Sequence, residues 1–404
     1  MADSSCSLPH GWLRKPFSAL ADVSFSGVDK KSTPGEIPVR LCNYVDVFHN
    51  HRIHSGIDFM AATATEREIA KFSLLRGDVV FTKDSETSEE IAEPAYVAED
   101  LDGVVCGYHL AIARPKKDVD GRFLYYAMKE TGVRRQFMRS ANGVTRFGLT
   151  LDAFDQILVP TPLLKEQIRI ADILATWDAA IEAARQARDL LDMQYRAIAA
   201  EGIHLRGPNM RSLKDLLTPD RMQTVEPNGP FRALGVRSHG KGTFQREDDL
   251  TANGSTKTVY RVEADRFIVN IVFAWEGAAA ITSQDDAGCL VSHRFPTFTI
   301  NREALSLEYF RHLIRTEPFR QLLALASPGG AGRNKTLNRN DLLKFEIHVP
   351  PLPEQTAVAT ALGTLDRRIT LLDEYLQRLT IQRDALATEL LTGRLRVPQA
   401  EAAS

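Results

Sequence analysis

The chain has 404 residues, of which 44% are hydrophobic and 25% are charged, as in an ordinary soluble protein with two or three domains. Its formal net charge of -2 excludes a strongly basic composition, so any nucleic-acid-binding surface must come from local clusters of basic residues. The four cysteines are scattered, and no apolar run reaches the roughly 18 residues of a membrane span. We therefore expect no disulfide framework, no zinc site and a cytoplasmic setting.

Residues 1–158 have the pattern of a mixed α/β domain. Short apolar runs bounded by turn residues predict strands at residues 39–45, 78–81, 103–106 and 110–113. A helix is predicted to begin at Phe123 and to run toward Arg139. A polar loop that contains a glycine, residues 140–146, follows this helix.

Residues 159–205 combine a proline-rich turn with a long helix. Val-Pro at residues 159–160 closes a strand, and Glu166-Gln167 opens the helix, where an acidic side chain suits the positive end of the helix dipole. Apolar residues then recur at steps of three and four, which predicts a coiled-coil seam interrupted by Arg188. The seam consists of Leu174, Trp177, Ile181, Ala184, Leu191, Tyr195 and Ile198.

Residues 206–348 repeat the order of the first domain, after a linker punctuated by glycine and proline at residues 202–209. Strands are predicted at residues 267–269, 271–273 and 288–291, a helix is predicted to begin at Leu307, and a glycine-rich loop occupies residues 327–333. Residues 349–397 then repeat the turn and the helix, whose seam runs from Val358 to Leu390 and is interrupted by Arg383. Residues 398–404 are predicted to form a frayed tail.

This repeat predicts an α+β fold: two α/β domains in tandem, separated by two long helices that form an antiparallel coiled coil with pseudo-twofold symmetry. Each helix is about 35 residues or roughly 50 Å long, which exceeds the usual length of a helix in a globular domain. An antiparallel pair would hold the two domains at a fixed separation. Such a molecule suits an extended ligand with two separated sites, and double-stranded DNA fits that description.

Residues 235–241 have the spacing of a phosphate-binding loop, because Gly235 is followed after four residues by Gly240 and Lys241. Gly242, however, occupies the position of the hydroxyl residue that binds Mg²⁺ in such loops. The flanking residues have the pattern of a hairpin, and no helix is predicted after Lys241. We therefore interpret this stretch as a basic turn that can contact DNA phosphates.

Two other local patterns resemble metal or nuclease sites. His49, His51 and His54 could converge on a metal if His49 and His51 share one face of a strand, but no cysteine or paired acid completes a ligand set. The acid pairs at residues 248–249 and 285–286 lack the lysine partner of a nuclease site and fit solvated turns. The catalytic Asn/Asp-Pro-Pro-aromatic motif and the glycine-rich cofactor loop of DNA methyltransferases are also absent. We predict no catalytic residue, no metal site and no cofactor.

The repeated order of domain, proline-rich turn with Glu-Gln, and long helix resembles the specificity subunit of type I restriction–modification systems. The resemblance covers essentially the whole chain, and its motifs are Pro-Pro-Leu-Pro-Glu-Gln at residues 350–355 and Leu-Leu-Thr-Gly-Arg-Leu-Arg-Val at residues 390–397. The first copy departs from it, because Leu164-Lys165 precede Glu-Gln and the helix ends in Glu-Gly-Ile-His-Leu at residues 201–205.

The resemblance implies two target-recognition domains that each read one half of a split DNA sequence. It implies that the helices set the spacer between the two halves and dock the methyltransferase (modification) and motor–nuclease (restriction) subunits. The subunit itself would then be a non-catalytic component. Two other functions fit the same architecture: a coiled-coil scaffold whose domains bind protein, and a specificity subunit of a related phage-defence system.

The basic and amide side chains of the matched loops are the predicted DNA contacts. Arginine and lysine can pair with guanine or with phosphate, and asparagine can read adenine. For each residue an ordinary surface side chain is the alternative interpretation. The predicted set comprises Arg139, Asn142, Thr145, Arg146, Arg237, Lys241, Arg333, Asn334 and Lys335.

Overall fold

The computed structural model describes residues 8–226, 229–249, 258–329 and 335–397. The chain divides into two compact units: unit 1 comprises Met1–Ala184 and Tyr375–Ser404, and unit 2 comprises Arg185–Glu374. Both divisions fall inside long helices, so each unit contains a globular domain and one half of each long helix.

Among the described residues, the unit 1 domain has six α-helices and the unit 2 domain has four. The helices of the unit 1 domain are α1 (Phe17–Leu20), α2 (Tyr44–His49), α3 (Glu66–Phe72), α4 (Gly121–Lys129), α5 (Thr131–Ser140) and α6 (Ala153–Gln156). The first long helix is α7 (Leu164–Gly202). The helices of the unit 2 domain are α8 (Leu213–Leu216), α9 (Leu307–Leu313), α10 (Glu317–Leu325) and α11 (Arg339–Lys344), and the second long helix is α12 (Leu352–Leu391).

The unit 1 domain is built on a five-stranded and a three-stranded sheet. Its strands are β1 (Leu13–Pro16), β2 (Ala21–Phe25), β3 (Ile37–Cys42), β4 (Arg52–Ile53), β5 (Met60–Ala64), β6 (Val79–Thr82), β7 (Asp84–Ser85), β8 (Pro94–Val97), β9 (Val104–Cys106), β10 (Leu110–Pro115), β11 (Phe147–Gly148) and β12 (Leu158–Thr161). The sheet orders are β2-β10-β6-β8-β4 and β5-β3-β9, with two-stranded pairs β1–β12 and β7–β11. Phe17, Phe81, Phe123, Phe137 and Phe154 fill the core between the larger sheet and helices α4 and α5.

The unit 2 domain contains a four-stranded and a five-stranded sheet. Its strands are β13 (Met210–Ser212), β14 (Leu217–Pro219), β15 (Thr224–Val225), β16 (Phe231–Val236), β17 (Thr243–Asp248), β18 (Val259–Arg261), β19 (Phe267–Val269), β20 (Ala279–Ile281), β21 (Leu290–Ser292), β22 (Thr297–Ile300) and β23 (Glu346–His348). The sheet orders are β14-β22-β19-β20 and β15-β18-β21-β16-β17, and β13 pairs with β23. Phe267, Phe298, Phe310 and Phe319 lie at the centre of its core.

The two domains share their main strand pairings. Each is closed by an antiparallel pair that joins its first strand to its last, β1 with β12 and β13 with β23. Each also contains a parallel pair, β3 with β9 and β16 with β21. The sequence repeat therefore corresponds to a repeat of topology.

In unit 1 the two long helices pair in antiparallel fashion. Near the start of α7, Glu166 accepts hydrogen bonds from Arg396, just beyond the end of α12, at 2.8 and 3.0 Å. Further along α7, Asp178 accepts a hydrogen bond from Arg383 at 2.9 Å. The partner position thus moves backward along α12 as the position on α7 advances.

In unit 2 the same antiparallel pairing links Arg188 to Asp373 at 3.3 Å and packs Gly202 against Val358. Seam residues in both units are buried: Leu174, Ile181, Ala184, Leu191, Leu362, Leu365, Leu379 and Leu390. Burial of this apolar face is what stabilises helices of this length. Within each unit, the predicted α+β fold and the antiparallel coiled-coil pairing are confirmed.

A buried glutamine attaches α7 to the unit 1 domain. The Gln167 side-chain nitrogen donates to the carbonyl oxygens of Pro162 (2.9 Å) and Asp118 (3.2 Å). Its side-chain oxygen accepts from the Asp120 backbone N–H at 3.0 Å. Because the amide is both donor and acceptor, it joins the turn before α7 to the segment that begins α4.

Gln355 makes the matching set of contacts in unit 2. Its nitrogen donates to the carbonyl oxygens of Pro350 (2.8 Å) and Ala304 (2.9 Å), and its oxygen accepts from the Ser306 N–H at 2.7 Å. Both glutamines are almost completely buried. The glutamate of the Glu-Gln motif suits the helix dipole, and its glutamine attaches the long helix to the domain. We call Gln167 and Gln355 the clamping glutamines.

Three predicted elements differ from the structure. The strand predicted at residues 39–45 ends at Cys42, because Asn43 caps helix α2. The strand predicted at residues 271–273 is a turn, in which the Asn270 side chain accepts from the Val272 N–H at 3.1 Å. The helix predicted from Phe123 is divided into α4 and α5, because the Glu130 side chain caps a new helix.

Candidate nucleic-acid interface

The predicted unit 1 contacts surround one tight loop after α5. The backbone groups of Asn142 and Gly148 exchange two hydrogen bonds of 2.9 Å, which close the loop. Gly143 has a φ of +137°, and a Cβ at this position would lie 1.9 Å from the Arg146 carbonyl oxygen. Glycine is therefore required here. The side chains of Arg139, Asn142, Thr145 and Arg146 are all exposed.

The loop is fixed at its base by the sheet. Strand β11, which follows the loop, pairs with β7, and the Leu149 N–H donates to the Lys83 carbonyl oxygen at 3.0 Å. Asp84 accepts hydrogen bonds from Lys83 (2.5 Å) and from the His109 ring (2.8 Å). Burial alone would raise the pKa of Asp84, but these hydrogen bonds outweigh it and lower the pKa, so the carboxylate remains charged.

Tyr108 and His109 were not predicted and lie beside this base. Tyr108 is 46% exposed, its ring centroid is 3.9 Å from that of His109, and Lys83 Nζ lies 5.3 Å from its ring. His109 has a φ of +74°, which is uncommon for a residue with a side chain. An aromatic–histidine pair directly after the buried strand β9 is a local signal that could have identified them.

In unit 2, Arg237 and Lys241 lie in the turn between β16 and β17. These strands pair in the register Val236 with Thr243, so a strand follows the lysine and the hairpin interpretation is confirmed. The Arg237 guanidinium donates to the Thr243 carbonyl oxygen and lies 5.0 Å from the Phe244 ring. These contacts hold Arg237 in place, and both Arg237 and Lys241 are exposed.

Lys335 lies on the same side of the unit 2 domain as this hairpin. Its Nζ is 5.2 Å from the ring of Trp275, in the 3-10 turn Ala274–Glu276. The hairpin contacts that turn, because the His239 N–H donates to the Glu276 carbonyl oxygen at 2.8 Å. Lys335 and the hairpin thus contact the same 3-10 turn, whereas Arg333 and Asn334 lie outside the described residues.

The loop of each domain is anchored in the same way. In unit 2 the Leu337 N–H donates to the Ile271 carbonyl oxygen (2.9 Å), and the Ile271 N–H donates to the Arg294 carbonyl oxygen (3.0 Å). In unit 1 Leu149, Lys83 and His109 form the same chain of backbone hydrogen bonds, each 3.0 Å long. The pair His293-Arg294 therefore stands where unit 1 has Tyr108-His109.

The structure also tests the histidine and acidic patterns that resembled metal or nuclease sites. His49 is the last residue of α2 rather than part of a strand, so the proposed shared face with His51 is wrong. Asp286 lies in a turn and accepts from the Ser283 N–H and the Thr243 hydroxyl, both at 2.9 Å, but it is buried and not solvated as predicted. The prediction of a turn is also wrong for Asp248, which is the last residue of β17. Over the described part of the chain, no group of three metal-ligating side chains occurs and no helix is apolar enough to cross a membrane.

Comparison with known proteins gives a consistent result. A family model described as the type I restriction modification DNA specificity domain matches residues 56–189 and again residues 244–380. A putative type I restriction enzyme MjaX specificity subunit from Methanocaldococcus jannaschii is 20% identical over 412 residues, which cover 96% of this chain and 95% of that protein.

Two solved structures share the fold. The type I restriction–modification S subunit from M. genitalium matches with a TM-score of 0.58 at 12% identity, over 96% of this chain and 98% of that chain. A chain from a structure concerned with complex assembly and conformational transition of the type I system matches with a TM-score of 0.51 at 16% identity, over 97% of this chain and 100% of that chain. The chain therefore belongs to the type I restriction–modification specificity family and carries two copies of its DNA specificity domain.

Proposed function

We propose that this chain is the cytoplasmic subunit that selects the DNA target of a type I restriction–modification complex, and that the target is bipartite. The observation that carries the proposal is a repeated scaffold with different exposed side chains. The same backbone hydrogen bonds anchor Leu149 and Leu337, whereas Tyr108-His109 in one domain correspond to His293-Arg294 in the other. Two equivalent supports with different surfaces suit two different half-sites, so the target need not be palindromic.

The nine predicted side chains remain our proposed DNA contacts. Those in the described residues are exposed or half-buried, and Arg237 is held by Phe244 in an orientation that needs little further ordering on binding. Arginine and lysine at such positions pair with phosphates or with guanine. Arg333 and Asn334 are included on the basis of sequence alone.

The helices also have features of a docking surface. Several large apolar side chains on their outer faces are more than half exposed, namely Leu190, Met193, Leu371, Tyr375 and Ile381. In unit 2 an open apolar groove between the helices is lined by Ala197, Ile198, Ala357 and Ala361. Exposed apolar surface of this kind marks sites of protein association. We propose that methyltransferase subunits, and through them motor–nuclease subunits, dock on the helices.

In this proposal the chain is not an enzyme and needs no cofactor. The phosphate-loop spacing at residues 235–241 belongs to a hairpin, and the acid pair at residues 285–286 belongs to a turn, which supports this assignment. The chemistry would then reside in the partner subunits. The paired helices would determine the gap between the half-sites.

Methylation mapping tests the proposal directly. The chain is co-expressed with its methyltransferase subunit in a host without other methylation, and the host genome is sequenced for methylated bases. We expect one motif made of two specified segments separated by an unspecified gap, and no such motif when this chain is omitted. A single uninterrupted motif, or no change when the chain is omitted, would contradict the proposal. DNA binding without any methylation would instead favour a related defence system, and absence of DNA binding would favour a protein scaffold.

A further inference from the structure

In unit 1 three side chains from three elements meet at one carboxylate. Tyr126 on α4 donates to Asp178 on α7 at 2.7 Å, and Arg383 on α12 donates to the same carboxylate at 2.9 Å. The Arg383 guanidinium also lies 5.6 Å from the Tyr126 ring and is only 14% exposed. We call Tyr126, Asp178 and Arg383 the unit 1 cluster. It joins the recognition domain to both long helices.

The hydrogen bonds of the unit 1 cluster depend on the orientation of the domain relative to the two long helices. Burial and the neighbouring Asp178 raise the pKa of Tyr126, so its hydroxyl remains a hydrogen-bond donor. Hydrogen bonds to a charged group are stronger than neutral ones, and partial burial reduces competition from water. Rotation of the domain relative to the helices would break at least one of these bonds.

Unit 2 contains a cluster at the matching place, built from different residues. Arg315, just after α9, donates to Asp366 on α12 at 2.5 Å, and its guanidinium lies 5.0 Å from the ring of Tyr195 on α7. The Tyr195 hydroxyl lies 3.0 Å from His312 Nδ1 on α9. We call Tyr195, His312, Arg315 and Asp366 the unit 2 cluster.

The clusters correspond position by position. Asp178 and Asp366 each stand eleven residues after the clamping glutamine of their helix. Tyr126 and His312 each stand six residues after the residue that caps α4 or α9. Each domain is therefore attached to its helices at two places, the glutamine and the cluster, about 16 Å apart along the helix. If the glutamine were the sole attachment, the domain could rotate about that point. The cluster, as a second attachment, prevents this rotation.

We propose that the unit 1 and unit 2 clusters are positioning residues that fix the orientation of each recognition domain on its helices and so determine which gap between half-sites is accepted. This inference rests on the proposed function. It assigns a role to side chains that are not among the proposed DNA contacts. A domain that can tilt on its helices would still read its half-site but would accept a wrong gap.

The test measures gap selectivity in the assembled methyltransferase complex. Substrates carry the mapped half-sites with the native gap, or with a gap one base pair shorter or longer. Asp178→Asn and Asp366→Asn each weaken one cluster, and Tyr126→Phe removes a single hydrogen bond without loss of volume. Asp373→Asn is the matched control, because the Arg188–Asp373 pair joins the two helices without a residue of either recognition domain.

We expect the ratio of native-gap to altered-gap methylation to fall by about tenfold in the two cluster aspartate variants, because a small misplacement of a reading domain has a large effect on productive geometry. It should fall less in Tyr126→Phe and stay at the wild-type value in Asp373→Asn. Arg383→Lys, which retains the charge, should preserve more selectivity than Arg383→Gln.

Two results would overturn the inference. One is unchanged gap selectivity in Tyr126→Phe and in whichever aspartate variants fold. The other is equal loss of methylation at all gaps, which indicates general instability instead of tilting. Failure of the proposed function looks different, because the wild-type complex would then show no bipartite motif at all.

Discussion

The two recognition domains differ at the ends of two matched strands. After β3, unit 1 forms the short helix α2, on which Val45 and Phe48 are exposed and the Tyr44 ring stacks on Phe48 at 5.6 Å. After β16, unit 2 forms a hairpin turn with Arg237 and Lys241. Both strands lie parallel to the strand that precedes the aromatic or basic pair of their domain. The two domains therefore share a scaffold of strands but carry different side chains at its exposed edge.

This comparison separates two kinds of residue. The glutamines Gln167 and Gln355, which attach each domain to its long helix, make the same contacts in both units. The residues at the exposed edge make different ones. Substitutions of the clamping glutamines should have equal effects in the two units. Substitutions at the exposed edge of one domain should affect one half-site.

The largest effect is expected from the clamping glutamines. Gln167→Leu or Gln355→Leu leaves two carbonyl oxygens and one N–H buried without their partner, which should lower the free energy of unfolding of the affected unit by about 3 kcal/mol or more. Chemical denaturation followed by hydrogen exchange in each unit measures this loss. Gln377→Leu, at an exposed position of α12, is the control and should change little. A large loss in only one unit would break the comparison.

Gly143→Ala tests whether the loop geometry matters for reading. The added Cβ would overlap the Arg146 carbonyl oxygen and would occupy a positive φ, so the loop must rearrange at a cost of about 2 kcal/mol. We expect about tenfold weaker discrimination at the first half-site and no change at the second, as measured by methylation of half-site variants. Gly27→Ala, where a Cβ would meet no atom within 4 Å, is the control. Equal losses at both half-sites would point to a folding defect.

Arg237→Ala and Lys241→Ala address the basic hairpin. If Arg237 pairs with a guanine, its removal should reduce discrimination at one position of the second half-site by about 1–3 kcal/mol. Lys241 is exposed in the turn, and if it contacts phosphate its removal should weaken binding to all sequences uniformly. Competition binding with single-base variants distinguishes the two outcomes. No effect of either substitution on the second half-site would remove the hairpin from the interface.

The smallest effect concerns pH and only the unit 2 cluster. Burial is the main cause of the lowered pKa of His312; Arg315 and Arg311 act in the same direction, whereas Asp366 and Glu308 oppose it. The unfolded chain therefore binds a proton more readily than the folded one, so stability is fully present above about pH 6.5 and declines as the pH falls below it. The protection factors of the α9 amides, which correct for the slower intrinsic exchange at low pH, should be smaller at pH 5.5 than at pH 7.5. The His312→Gln variant should lose this dependence, and its persistence there would assign it to another group.

Much of the architecture was predictable because its signals are local. The steps of three and four along each helix, the Val-Pro and Glu-Gln joints, and the order of elements all lie in short stretches, and the structure shows buried seams and matched sheets there. The two strand predictions that differ from the structure lie where a side chain forms a hydrogen bond that competes with strand pairing. The Asp46 carboxylate accepts from the Asn43 N–H, and the Asn270 side chain accepts from the Val272 N–H, and each of these bonds redirects the backbone.

The contacts that join the domains and the two long helices were not predicted, since they connect residues far apart in sequence. Asp178 meets Arg383 across 205 positions, and no window of the sequence contains both. A signal was nevertheless present: Arg188 and Arg383 interrupt the two seams, and each lies opposite an aspartate in the structure. A charged residue in an apolar seam indicates a specific partner on the facing helix. Tyr108 and His109 had no comparable signal except their position after a buried strand.

The glutamine clamps have a consequence for experiments at different ionic strengths. An uncharged, buried amide is not screened by added salt, so the attachments at Gln167 and Gln355 should persist at ionic strengths where phosphate contacts weaken. If the chain binds DNA as proposed, a salt titration should lower its affinity while these two attachments remain. The slope of that titration would then give the total number of phosphates that the chain contacts.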